Sequence, residues 1–250
     1  MKRKLIPLTA GVACVLLVLP LWVSASETTH IAFTSEREGN YDIYIMDTSG
    51  KNLQNLTNHP ARDWYPAFSP DGRWMAFVSD REGTPRIYLM NRNHNQLRPF
   101  TNHLPSEADY DPAWSPDGQW IAFTSSQVKQ THIYKINLNS QGLQQLTRAG
   151  WNARPKWSPD GDQIIFHSLR KEVLGIYVMK ADGKDVRRVI PRNRGENQWR
   201  HSPTWAPDGK QIAYVDSDLG KKSIYIMTAT GQNNRRITKK NAVSLVLHQD

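Results

Sequence analysis

A seven-residue phrase, Pro-x-aromatic-(Ser/Ala)-Pro-Asp-Gly, occurs four times in this chain, at Pro66–Gly72, Pro112–Gly118, Pro155–Gly161 and Pro203–Gly209. Its aspartates, Asp71, Asp117, Asp160 and Asp208, stand 46, 43 and 48 residues apart. Repetition at that period restricts the chain to a solenoid, a propeller or an array of small units. It also sets how single residues are to be read: what recurs serves the fold, and function lies in what differs between the copies.

Each repeat holds the parts of a four-stranded antiparallel sheet. A short first strand ends at the aromatic residue. The Ser-Pro-Asp-Gly step after it is a hairpin turn: Pro presets φ, and Gly takes the left-handed conformation of a G1 bulge. A second strand follows, as in Met75-Ala76-Phe77-Val78-Ser79, Ile121-Ala122-Phe123-Thr124-Ser125, Ile164-Ile165-Phe166-His167-Ser168 and Ile212-Ala213-Tyr214-Val215-Asp216. The third carries Ile-Tyr, at Ile87-Tyr88, Ile133-Tyr134, Ile176-Tyr177 and Ile224-Tyr225. Both are apolar on both faces, the pattern of a sheet covered on two sides. The fourth, at 97–101, 143–147, 186–190 and 234–238, is polar, with Arg98-Pro99, Arg187-Arg188 and Arg235-Arg236, the usual protection of an exposed sheet edge. Sheets with two buried faces and one polar edge stack radially, so the fold class is all-β, a β-propeller.

The chain ends predict how the ring closes. Residues 30–35, 43–46 and 53–57 read as second, third and fourth strands with no first strand before them, and residues 242–248 read as a strand left over. Pairing the two completes the first blade with the C-terminal strand and gives five blades.

The pattern Asp-x-x-Pro-x-Trp-Ser-Pro-Asp-Gly-x-x-Ile-Ala-Phe-x-Ser, followed by Ile-Tyr-x-Met and Leu-Thr, resembles the repeat of the TolB-type propeller family across about residues 29 to 240. The resemblance implies a propeller fold and does not by itself choose between a binder and an enzyme. TolB is a periplasmic protein whose propeller engages a peptidoglycan-associated lipoprotein, and it carries an α/β domain ahead of the propeller that this chain is expected to lack. Similar repeats also serve as domains of peptidases and sugar-active lyases.

Lys2-Arg3-Lys4, the apolar run Leu5 to Val23 and Ser24-Ala25-Ser26 read as a secretory signal of residues 1–25, leaving 26–250 as the propeller. An uncleaved anchor is the alternative, since the run approaches the roughly 18–20 residues that span a bilayer. A periplasmic or secreted monomer is expected. The net charge of +9 falls to +6 without the three N-terminal cations. Cys14, inside the signal, is the sole cysteine, which excludes disulfides, cysteine nucleophiles and cysteine-zinc sites from the mature part.

Loops leading into first strands share one face with loops joining second to third strands, and this face varies between copies. Three residues before the repeat Pro stand Asp63, Asp109, Asn152 and Arg200; one before it, Tyr65, Asp111, Arg154 and Ser202. Lys156 follows the Pro where Ala67, Ala113 and Thr204 stand elsewhere, and the loops carry Trp64, Tyr110, Trp151 and Trp199. Asp63 and Asp109 read as structural acceptors. By the period-two rule Arg154 and Lys156 lie on one side of a strand. The candidate ligand-binding residues are Trp151, Asn152, Arg154, Lys156, Trp199, Arg200, Tyr65 and Asp111: cations and rings suited to an anionic ligand. Three histidines of this face, His59, His103 and His201, are too far apart around the ring for a metal site. No catalytic motif, metal site or cofactor is expected. The reading is an exported binding or scaffold module for an envelope or secreted protein or an acidic polysaccharide, not for nucleic acid. A membrane partner arises only if the signal segment stays attached. The alternative is a carbohydrate lyase or hydrolase with its site in the same funnel.

Overall fold

The computed structural model describes residues 30–238 apart from 95, 102–106, 128–129, 140–141, 171–172, 191–198 and 219–220; the side chains of 127, 173, 199, 218 and 221 are also outside the description. The expected signal segment and the closing strand at 242–248 lie outside the described residues. The fold is the expected five-bladed all-β propeller. Blade 1 is β1 (His30–Ser35), β2 (Asp42–Asp47) and β3 (Gln54–Asn55); blade 2 is β4 (Asp63–Phe68), β5 (Trp74–Ser79), β6 (Arg86–Asn91) and β7 (Leu97–Pro99). Blade 3 runs β8 (Ala108–Trp114), β9 (Trp120–Gln127), β10 (Gln130–Asn137), β11 (Gln144–Gln145). Blade 4 is β12 (Trp151–Trp157), β13 (Gln163–Arg170), β14 (Val173–Lys180), β15 (Arg187–Arg188), and blade 5 is β16 (Trp199–Trp205), β17 (Gln211–Asp218), β18 (Lys221–Thr228), β19 (Arg235–Arg236). Described strands pair antiparallel with their neighbours in sequence.

The core lies between blades rather than within one. Phe77 of blade 2 packs with Ala32 of blade 1, Phe123 with Ala76, Phe166 with Ala122, and Tyr214 with Ile165. Adjacent positions of a strand face opposite sides, so each Ala-Phe step turns its small residue to one neighbour and its ring to the other. In blades 2, 3 and 4 the ring fills the space left by the alanine of the preceding blade; in blade 5 Tyr214 packs on Ile165 instead. A buried aromatic of this kind contributes roughly 2–3 kcal/mol. The tyrosine of Ile-Tyr stacks on the same ring from the next strand, with centroids 5.6 to 6.1 Å apart.

The rest of the repeat is also structural. Trp114 Nε1 donates to Ala67 O and Trp157 Nε1 to Ala113 O, tying the first strands of blades 3 and 4 to the ones before them. Gly72, Gly118, Gly161 and Gly209 have φ of 65°, 69°, 80° and 68°, as the turn reading requires. The fourth strands are shorter than expected, two or three residues each. Past them a threonine hydroxyl takes over from the ladder. Thr57, Thr101, Thr147 and Thr238 Oγ1 accept the N–H of Ile43, Ile87, Ile133 and Ile224 at 2.8 to 3.1 Å.

Candidate functional site

The inner strands carry a feature that alternation did not reveal. In β4, β8, β12 and β16 the pairing register shifts just before the repeat proline. The residue at the shift is left-handed every time: Tyr65, Asp111, Arg154 and Ser202, with φ between 52° and 56°. A bulge needs a residue outside the β region, and the following proline disfavours the right-handed option. The left-handed one remains, at a cost of about 1–2 kcal/mol per non-glycine residue. A hydrogen bond across the blade junction offsets part of it: Tyr65 N–H donates to Thr34 Oγ1 at 3.2 Å and Arg154 N–H to Thr124 Oγ1 at 3.0 Å.

The bulge corrects the period-two argument for Arg154 and Lys156, because the register breaks between Ala153 and Lys156. The two still belong to one cluster. Arg154 Nη1 donates to Ser202 Oγ, its Nε lies 3.9 Å from Asp111 Oδ1, and its charge acts on the Tyr65 phenol, opposing the rise that burial gives it. One guanidinium thus reaches the bulge residues of the three other complete blades. Thr124 Oγ1 donates to Asp111 Oδ2 at 3.0 Å. Burial lowers the Lys156 amine below its usual value, with the Asp111 charge opposing, and raises the Asp111 carboxyl, with Arg154 opposing.

Two of the expected residues stand apart from this cluster. Arg200 is buried and its Nε lies 3.1 Å from Asp216 Oδ2, directly across the ladder. The same cross-strand place holds Asp63 against Ser79 and Asn152 against Ser168. Arg200 is therefore a charge-reversed structural pair and not a cation offered to ligand. Asn152 is fully buried, donating to Ala149 O and Gly150 O and accepting from Ser168 Oγ. Asp63 is the structural acceptor expected, gripped by Arg81 at 3.0 and 3.1 Å.

Trp151 is 43% exposed and stacks at 5.1 Å on His167. Trp199, expected in a loop, opens β16, and its side chain lies outside the described residues. His167 was not singled out in the sequence, although it replaces the Thr34 and Thr124 of blades 1 and 3. It is 4% exposed, and neither ring nitrogen has a hydrogen-bond partner among the described residues. Burial, then the nearby Arg154 charge, hold its pKa down at about 3; the same causes hold His201, whose Nδ1 is 3.0 Å from Ser202 Oγ, at about 4.

On the same face, between blades 1, 2 and 3, lies a cleft of about 380 Å³ walled by Tyr41, Trp64, Tyr65, Tyr110, Arg62 and Pro85, with Thr34 also lining it. Its wall residue Tyr65 is the one on whose phenol the Arg154 charge acts.

A family profile described as the TolB beta propeller domain matches residues 20–109 and 105–202. The Tol-Pal system protein TolB of Geobacter sulfurreducens is 48% identical over 46 residues, 18% of this chain and 11% of that protein. A TolB homolog of Chlorobaculum tepidum is 43% identical over 47 residues, 19% of this chain and 11% of its own length. The matched segment thus spans about a ninth of these relatives. Among solved structures, TolB from Acinetobacter baumannii is similar at a TM-score of 0.71 and 25% identity, over 84% of this chain and 52% of that one. An oligogalacturonate lyase in complex with manganese gives 0.64 at 16% identity, over 84% and 62%, a likeness of fold alone. With the profile covering most of its length and the blades built as described, the chain belongs to the TolB beta-propeller domain family.

Proposed function

We propose that this chain is an exported binding module that holds an anionic ligand, an envelope or secreted protein or an acidic polysaccharide, at the variable-loop mouth of its channel. The observation that carries the reading is Arg154 with Lys156: two cations in one cluster with a single described carboxylate, Asp111, among their charge partners. Lys156 is desolvated, while the Arg154 side chain beside it is 41% exposed, so an incoming carboxylate can reach the pair and gain charge-assisted hydrogen bonds. The signal-like segment 1–25 and the TolB kinship support a periplasmic place. Relatives named as Tol-Pal system proteins support a protein-binding role.

A lyase or hydrolase reading draws on one contact, Ser202 Oγ with His201 Nδ1. The left-handed backbone at Ser202 recurs at Tyr65, Asp111 and Arg154, so it belongs to the fold, and Arg154 already occupies the hydroxyl. Binding is the better account. The test is capture from envelope extract at low and high salt by the parent protein, by Arg154→Ala/Lys156→Ala, and by the outer-edge pair Arg187→Ala/Arg188→Ala. The channel pair should lose the salt-sensitive captured species while the edge pair keeps it. The reverse ranking moves the site to the rim and refutes the proposal.

A further inference from the structure

The cleft between blades 1, 2 and 3 differs in chemistry from the cationic channel beside it. Its walls are rings, Tyr41, Trp64, Tyr65 and Tyr110, with Arg62 over the Trp64 indole at 5.4 Å. Its volume of about 380 Å³ lies within the roughly 300–1,000 Å³ common for small-ligand sites. Three of the ring residues, Tyr41, Tyr65 and Tyr110, also bring phenol hydroxyls. Apolar faces rimmed by hydroxyls complement a pyranose, which has a C–H face and a hydroxyl edge.

The main chain argues against an extended peptide here. The Tyr41 carbonyl accepts the N–H of Asp63 at 2.7 Å, the Pro85 carbonyl that of Asp109 at 2.9 Å, and the Tyr65 N–H goes to Thr34 Oγ1 at 3.2 Å. A strand laid into the cleft would find these backbone groups already committed, whereas peptide recognition by strand addition depends on free ones. Recognition falls to side chains, as it does for sugars. Tyr65 lines the cleft, and its phenol lies within reach of the Arg154 charge.

We propose that this cleft is a pyranose subsite, and that its occupant is one ring of an acidic oligosaccharide. The ring stacks on Trp64 and Tyr110, and the carboxylate points inward to Arg154 and Lys156. This deepens the reading of an anionic ligand and rests on it for the carboxylate, though not for the sugar ring.

Calorimetry with β-1,4-mannuronate tetramer and β-1,4-mannotetraose separates the two parts, because the probes differ only in carboxylate against hydroxymethyl. The mannuronate should bind and the neutral tetramer bind more weakly. Trp64→Ala, and separately Tyr110→Ala, should each weaken both probes by about tenfold, the scale of one aromatic contact. Arg154→Ala/Lys156→Ala should remove only the preference for the acidic probe. The two ring variants guard against one failing to fold, and melting temperature is read on each. If both ring variants fold and bind either probe as the parent does, the cleft proposal is overturned. It is equally overturned if neither sugar binds, or if an acidic peptide binds at the cleft while both sugars fail. If the ring variants lose binding and the cation pair changes nothing, the cleft stands and the anionic reading falls.

Discussion

Replacing His167 by Thr, the residue of blades 1 and 3, should change how stability depends on pH. The imidazole is 4% exposed between β12 and β16, stacked under Trp151 and facing Arg154 and His201. Its folded pKa is about 3 against an ordinary 6.5. The sign follows from linkage: below pH 6.5 the unfolded chain takes up a proton that the native state refuses, so the native state loses stability as pH falls toward 3. Each unit below 6.5 costs about 1.4 kcal/mol, which makes about 2 kcal/mol at pH 5 relative to pH 7. For a chain of this size that is about 4–8 °C in melting temperature. His201 has a lowered pKa of the same direction and remains in both proteins, so only the difference between them is diagnostic. Urea unfolding of parent and His167→Thr at pH 7, 6 and 5 reads it. The variant should hold its stability better on acidification by about 2 kcal/mol. Parallel curves would refute the placement of a neutral, buried imidazole at this junction.

Two further predictions concern the frame. Arg200→Met alone removes the cation paired with buried Asp216 and should cost about 3–5 kcal/mol in denaturant unfolding. Adding Asp216→Ser, the residue found at Ser35, Ser79, Ser125 and Ser168, should return most of that loss. A Cβ on Gly231 falls 2.1 Å from Val189 O of the preceding blade, while one on Gly39, with nearly the same φ, meets nothing within 4 Å. Gly39→Ala should therefore cost about 1 kcal/mol, from φ alone, and Gly231→Ala at least about 3 kcal/mol, because the blade interface must part. Equal losses would show that backbone conformation, not contact, governs both.

The repeat period, the turn phrase and the strands apolar on both faces determined the propeller before any coordinates. They express local rules: proline and glycine set turns, and alternation reports which faces are covered. Trp114, Gly118 and the Ala-Phe steps act alike in copy after copy, so repetition made their structural role legible. The cluster at the channel was legible only in part. Tyr65, Asp111, Arg154 and Lys156 stood out as departures within a variable column, and they do meet. Arg200 stood out by the same test and does not join them, because its partner Asp216 sits opposite in register though 16 residues away in sequence. His167 was visible as a substitution for threonine, but its meaning depends on burial between two blades. The left-handed bulge at Arg154 was hidden because it arises from register against a neighbouring strand, which no run of residues displays. Sequence thus determined each blade, and tertiary structure alone decided which side chains of different blades share a space, because that depends on closing the ring.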